Sequence, residues 1–484
     1  MTTQIEKVLY EKFGYTSFRP GQREAVESVL KDQDTLVMLP TGTGKSLCYQ
    51  LPTYLHDGVT LIISPLLSLM QDQVESLRLK GEKRVVALNS LTSLTERKRI
   101  FRQLNHYKFI FTSPEMLQNH RVIKALKRIK VSLFVVDEAH CISHWGTDFR
   151  PDYLALADVR KQLDFPTTLA LTATATKRVR DEIVHFLGLN KDKTHQIVQS
   201  VDREEIKFIV EICEGNKPEK LTHYLTQLTG PGIVYFTSKK LADAWAQKLR
   251  QEYQLKANSY HSDLEVDDKI KIQQQFLNNE LQIICATSAF GMGFDKEDIR
   301  FVVHYHIPGS PEMYLQEIGR ASRDGKKGLA ILLFQPGDEQ IQHRFIEDSL
   351  PTREVLASAY KTNNAPNSVD DSTHKLAHYF AQTSMNINEA FEAIKKRKEI
   401  KQKQLYFLVQ YVYHESCKRN YLLKYFGEET KENNGQCCIN CGLDIQNIIE
   451  DVNALSGKKI SNTTMNMIHP WREVFAKLYN NLQG

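Results

Sequence analysis

The chain has 484 residues, 63 basic and 58 acidic, with 41% hydrophobic and 25% charged side chains, which excludes a disordered chain and fits an ordinary globular one. At about 150 residues per domain it has room for roughly three domains, and a net charge of +5 permits a polyanionic partner without requiring one. The start, MTTQIEKVLYEKFGY, lacks the basic end and apolar stretch of an export signal, and no later run reaches the ~18 apolar residues of a membrane span, so a cytoplasmic protein with no membrane contact is expected.

Short β-branched runs at 35–39, 61–64, 85–88, 109–112, 133–136 and 168–171 alternate with helical stretches. Runs that are apolar on both faces, spaced widely enough for crossover helices, predict a parallel sheet covered on both sides, in a first domain of residues 1–205. The pattern restarts at 206–212, 233–236, 283–286, 301–305 and 329–334, a second parallel sheet in residues 206–342. Leu241, Trp245 and Leu249 fall at i, i+4, i+8 and predict a helix packed on it. Beyond, strand signals fade, 361–373 is polar and 388–413 has helical spacing, so 343–445 is read as a small helical domain. Residues 446–484 are read as a short tail with a helix-like segment near Trp471. The fold class is therefore α/β, two tandem parallel-sheet domains followed by a small helical one.

At the end of the first run comes LPTGTGKS, 39–46, followed by a helical pattern. In that context Thr41, Gly42, Thr43 and Gly44 curl backbone N–H groups around phosphate oxygens, Lys45 reaches the β and γ phosphates of ATP, and Ser46 binds Mg²⁺. The strict GxxxxGK[ST] pattern is not met, because Leu39 stands where its first Gly would be. LFVVDEAH, 133–140, ends another strand of the same sheet. It would bring Asp137 to the Mg²⁺ shell and Glu138 to the attacking water. Of eight cysteines, Cys48, Cys141, Cys213 and Cys285 lie scattered among apolar neighbours and read as reduced core thiols, while Cys417, Cys437, Cys438 and Cys441 gather near the end.

Together these motifs resemble superfamily-2 helicases, and longer strings over residues 13–441 resemble the RecQ family of DNA helicases. The resemblance implies two RecA-like lobes and a zinc platform. FGYTSFRPGQ, 13–22, looks like that family's adenine motif, which implies Tyr15 stacking on the base, Arg19 supporting the nucleotide and Gln22 bonding the adenine edge. AHCISHWGTDFRP, 139–151, resembles its aromatic-rich loop, implying Trp145, Phe149 and Arg150 as single-strand sensors, since stacking contributes about 1–3 kcal/mol per base. His144 and Thr147 depart from the usual Gln and His of that loop. SPLLSLMQDQ (64–73), TSPE (112–115) and LTATAT (171–176) look like strand-tracking loops, with Ser64 a strand contact. ATSAFGMGFDK (286–296), with Ser288 on DNA, and YLQEIGRASRDG (314–325) resemble motifs V and VI. Arg320 and Arg323 are the candidates for a transition-state arginine, with Ser322 replacing the family's usual Gly between them.

CKRNYLLKYFGE (417–428) followed by CCINC (437–441) resembles the family's zinc region, implying Zn²⁺ on Cys417, Cys437, Cys438 and Cys441. The usual CxxCxxC spacing is replaced by an adjacent pair, which leaves His414 open as a substitute ligand. The implied protein is a monomeric motor that moves 3′ to 5′ on single-stranded DNA and opens tailed or forked duplexes in recombination and repair, with a single-strand-binding protein as partner. Its tail is too short for the winged-helix and further helical domains of long family members. An ATP-reset strand clamp or annealing switch is a second reading and an RNA helicase a third. The basic stretch of Lys395, Lys398, Lys401 and Lys403 reads either as a solvated face or as a duplex contact.

Overall fold

The computed structural model describes residues 2–90, 92–143, 150–291, 294–361, 372–383, 385–430 and 435–456. Its first sheet comprises β1 (Thr35–Met38), β2 (Val59–Ile63), β3 (Val85–Leu88), β4 (Phe109–Thr112), β5 (Val131–Val136), β6 (Thr167–Thr172) and β7 (His195–Val198). They run in the order β3-β4-β2-β5-β6-β1-β7, every pair parallel. The second comprises β8 (Ile206–Ile212), β9 (Gly232–Tyr235), β10 (Ala257–Tyr260), β11 (Ile283–Ala286), β12 (Phe301–His304) and β13 (Gly328–Phe334), ordered β10-β11-β9-β12-β13-β8 and again parallel.

Central strands are buried on both faces, which is why they read as unbroken apolar runs: Leu36, Leu61, Phe134 and Ala170 face one helical layer, and Val37, Ile62, Val135 and Leu169 the other. The two strands the sequence does not announce, β7 and β10, are edge strands. With sequences HQIV and ANSY they carry no run of large apolar residues, which is the signal the other strands give. The helix Lys239–Glu252 packs Trp245 and Leu249 onto the second sheet, as the spacing predicts.

Close approach within that sheet explains one glycine. Gly232 opens β9 opposite Phe301 of β12, and a Cβ there would stand 2.0 Å from the phenylalanine ring. Gly232→Ala is expected to cost about 1–3 kcal/mol by overpacking, read as a lower urea midpoint with an unchanged slope.

The third region is not a separate body. The helix Ile387–Tyr413 starts on an Asn386–Glu389 capping box and gives Leu405, Leu408 and Tyr411 to the core of the second lobe, while Leu423 and Phe426 join the core of the first. The expected tail begins as a helix, Ile445–Ser456, whose Ile448, Ile449 and Val452 sit on the outer face of the second sheet. Asn453 pins it by accepting from the Thr229 N–H (2.9 Å) and donating to the Gln227 carbonyl (2.7 Å). Too short for a core of its own, it borrows one. Trp471 and residues 457–484 lie outside the described residues. Among the described residues no helix is long and apolar enough to cross a membrane.

Candidate active site between the two lobes

Parallel strands put all their C-terminal ends on one edge, so the loops after β1, β2, β4, β5 and β6 share a rim. The loop after β1 turns through Gly42 (φ 83°) and Gly44 (φ 77°), a left-handed backbone that glycine adopts without strain, before the helix Leu47–Leu55. Lys45 Nζ donates to the Leu39 carbonyl at 3.3 Å. Gln22 Nε2 donates to the carbonyls of Thr43 (2.7 Å) and Gly44 (3.1 Å), Arg19 Nη1 to that of Gly42 (2.5 Å), and the Arg19 N–H to Gln22 Oε1 (2.8 Å). Arg19 and Gln22 thus hold the phosphate loop's backbone in this conformation, and Tyr15 beside them is 53% exposed.

Asp137 and Glu138 follow β5, which is separated from β1 and its loop by β6. Tyr153, fully buried, donates its hydroxyl to the Asp137 carbonyl (3.0 Å), and the Asp137 N–H reaches the Ile63 carbonyl (2.9 Å). Glu138 takes a left-handed backbone (φ 47°, ψ 46°), a costly conformation for a residue with a Cβ and one found where side-chain aim matters. Its Oε2 is buried without a hydrogen-bond partner; His140 Nδ1 lies 3.3 Å away and shares 3.1 Å with Thr172 Oγ1, at the head of the 171–176 segment. Burial, reinforced by the Glu138 carboxylate, pushes Asp137 well above the usual carboxylate range, and burial lowers Lys45 while both carboxylates oppose that. An orphaned carboxylate oxygen beside a carboxyl that resists ionisation is a donor set that a hard cation and a polarised water would satisfy.

The facing wall belongs to the second lobe. Arg320 donates to the Gly291 carbonyl, and Arg323 pairs with Asp295 (2.5 Å) and donates to the Phe294 carbonyl (3.1 Å), so the 286–296 and 314–325 strings form one unit. Arg323 lays its stem on the phosphate loop: a Cβ on Gly42 would stand 2.6 Å from Arg323 Cγ. Both arginines keep a buried Nε without a hydrogen-bond partner. Ser322 sits at φ 61°, which is why a Gly suits that position, and Gly328 makes room for it, since a Cβ there would lie 2.1 Å from Ser322 Oγ. Such a left-handed residue costs roughly 1–2 kcal/mol relative to Gly.

On the strand side, Trp145, Phe149, His144 and Thr147 lie outside the described residues. Arg150 Nη1 donates to the Pro65 carbonyl (2.6 Å) and stands 4.0 Å from Glu115, tying the 64–73 and 112–115 loops together. Ser64, expected on the strand-contacting rim, is instead buried at the end of β2 with its hydroxyl enclosed, because its N–H continues the ladder to the Thr112 carbonyl (3.0 Å). Ser288 is exposed beyond β11. On the basic helix Lys398 pairs with Glu347 (2.5 Å) and Lys401 donates to Ser349 (3.3 Å), whereas Lys395 and Lys403 are exposed.

The four clustered cysteines converge: all four Sγ atoms lie within 4.8 Å of one another. A tetrahedron with ~2.3 Å Zn–S bonds needs sulfurs about 3.8 Å apart, so the set fits Zn²⁺ despite the adjacent pair. Cys417 caps the helix Lys418–Tyr425, accepting from the Asn420 N–H (3.5 Å), and the Lys418 N–H reaches Cys438 Sγ (3.3 Å). His414 is not in the set; its ring packs on Tyr421 with centroids 4.4 Å apart. Arg203, between the lobes, also meets the site, although a single arginine in a polar connection carries no periodicity or spacing that would announce it.

Comparison with known proteins agrees with this arrangement. The chain matches the DEAD/DEAH box helicase family over residues 19–183, the helicase conserved C-terminal domain over 216–325 and the RecQ zinc-binding family over 336–442. It is 42% identical over 462 residues to the probable ATP-dependent DNA helicase RecS of Bacillus subtilis, covering 92% of this chain and 93% of that one. It is 37% identical over 445 residues to the ATP-dependent DNA helicase RecQ of the same organism, covering 90% and 67%. Among solved structures, the DUF1998 helicase MrfA bound to DNA superposes with a TM-score of 0.59 at 18% identity over 71% of this chain and 52% of that one, and the DEAD-box helicase Mss116 bound to ssRNA with 0.56 at 17% over 83% and 90%, likenesses of fold. With two parallel-sheet lobes closing on one phosphate loop and a four-cysteine platform behind them, matched across nearly its whole length, the chain belongs to the RecQ family of ATP-dependent DNA helicases.

Proposed function

We propose that this helicase moves 3′ to 5′ along single-stranded DNA and unwinds tailed or forked duplexes in recombination and repair. The observation that most supports a motor is the seat of Arg323 on Gly42: one lobe's arginine and the other's phosphate loop share a site, so nucleotide chemistry must change how the lobes meet. Lys45 and the loop amides hold the β and γ phosphates, Glu138 orients the attacking water, and Arg323, with Arg320 behind it, meets the charge that develops on the transferred phosphoryl group. Ser46 and Asp137 would hold a Mg²⁺ ion that neutralises phosphate charge when bound with ATP. Arg150, Ser288 and the aromatic loop of Trp145 and Phe149 grip the strand, by backbone and stacking contacts that suit any sequence.

The test is ATP hydrolysis with and without single-stranded DNA, beside unwinding of 3′-tailed and 5′-tailed duplexes. Hydrolysis rising with DNA and strand separation from the 3′ tail alone are the expected results. Separation from the 5′ tail would reverse the polarity, and stimulated hydrolysis without separation would favour the clamp or annealing switch. Stronger stimulation by RNA than DNA would overturn the DNA assignment.

A further inference from the structure

We propose that Arg203 is a positioning residue for ATP hydrolysis, a strut that sets how the arginine-bearing loop of the second lobe meets the phosphate loop of the first. It lies in the connection between β7 and β8, and its planar fork spans both lobes. Nη1 donates to the carbonyls of Thr41 (3.0 Å) in the phosphate loop and Gly319 (3.3 Å), Nη2 to those of Ser322 (2.7 Å) and Ala321 (3.4 Å), and Nε to Glu205 (2.5 Å). Gly319 and Ala321 flank Arg320, and Ser322 directly precedes Arg323. One guanidinium therefore fixes the backbone on both sides of Arg320 and directly before Arg323, and ties it to Thr41. An ammonium has neither the fork nor the reach to repeat this.

The strut is itself anchored from the zinc platform. Arg419, two residues beyond Cys417, donates to the Arg203 carbonyl (2.9 Å), to the Asp202 carboxylate and to the Ile206 carbonyl, with its guanidinium 4.8 Å from the centre of the Phe208 ring. Asp202 and Arg419 are a buried pair, 3% and 6% exposed. Glu428, three residues beyond the end of the helix Lys418–Tyr425, accepts from Ser200 Oγ (2.5 Å) and the Val201 N–H (2.7 Å). Residues 200–206 are thus gripped from one side, and Arg203 projects from the other into the cleft. Without its fork the arginine loop loses the bonds at Gly319, Ala321 and Ser322, and the phosphate loop the one at Thr41, while the bonds from Arg19 and Gln22 to the phosphate loop remain. Misplacement of a reacting group by about 1 Å can cost on the order of a hundredfold in rate.

The inference rests on the proposed role of Arg320 and Arg323, so Arg323→Ala is measured beside it. In the full chain, Arg203→Ala and Arg203→Lys are compared with the parent for kcat and KM of DNA-stimulated hydrolysis, and for binding of ADP and of ADP with aluminium fluoride as a transition-state mimic. Expected for both is a kcat lower by roughly tenfold to a hundredfold, ADP affinity within about threefold, and loss of the preference for the mimic, a readout that a purely structural role would not move. Arg203→Lys keeps stem and charge and carries the test if the alanine variant does not fold. Parental kcat in a folded Arg203 variant, or a loss confined to ADP affinity, overturns the strut. If Arg323→Ala also keeps its rate, the reading of the arginines fails instead.

Discussion

Replacing Glu138 by Gln is expected to lower DNA-stimulated ATP hydrolysis by roughly 10²–10⁴-fold, the range for loss of a positioned general base, while nucleotide binding persists. The reason lies in what the carboxylate lacks. Its Oε2 is enclosed without a donor, His140 stands 3.3 Å off and is shared with Thr172, and the backbone is held left-handed to present it. A buried carboxylate oxygen that no protein donor occupies is placed to accept from an attacking water. Gln keeps the shape and one oxygen but cannot take a proton, so binding and chemistry should separate: titration with a fluorescent ADP analogue should give a near-parental dissociation constant, with hydrolysis and unwinding both gone. Hydrolysis within tenfold of the parent would remove Glu138 from the chemistry.

What the sequence disclosed here follows a physical divide. Central strands such as β4 and β11 are legible to the residue because burial on both faces forces an unbroken apolar run. The edge strands β7 and β10 are silent for different reasons: β7, HQIV, is largely exposed, and β10, ANSY, is buried with small and polar residues that make no apolar run. The docking of the helix Ile445–Ser456 is not visible in a short tail, because Ile448, Ile449 and Val452 find their partners on the second sheet. In the site, the placing of Lys45, Asp137 and Glu138 on one rim is readable because each stands just beyond an apolar strand run of the same parallel sheet. Which arginine faces the loop is a matter of tertiary placement, visible only where Arg323 crosses Gly42. The burial of Ser64 is likewise invisible in a string that allows the residue to point either way.

Cys438→Ala should empty the zinc site and weaken both lobes together. Cys438 is fully buried and makes a β-bridge with Phe208 at the edge strand β8, whose N–H in turn reaches the Cys437 carbonyl (3.1 Å), so the metal cluster, the start of the Lys418–Tyr425 helix and the second sheet are one joint. Contact with Cys417 and burial push the Cys438 thiol up, and burial does the same to Cys437, so the uncharged cluster holds its protons and a cation must displace them. Binding therefore weakens as pH falls, and zinc should leave first on acidification. In small zinc-finger peptides such a site supplies about 10–16 kcal/mol. Here the platform helices keep their own packing, so a smaller loss is expected, with an unfolding midpoint lower by roughly 10 °C or more. Because Leu423 and Phe426 sit in the first lobe's core and Arg419 grips the connection between lobes, ATP hydrolysis should fall along with stability. Metal analysis is expected to find one zinc per chain in the parent and in Cys285→Ala, a buried thiol elsewhere in the second sheet, and none in Cys438→Ala. A Cys438→Ala protein that retains zinc, or loses it with an unchanged midpoint, would show that the four sulfurs are not the joint.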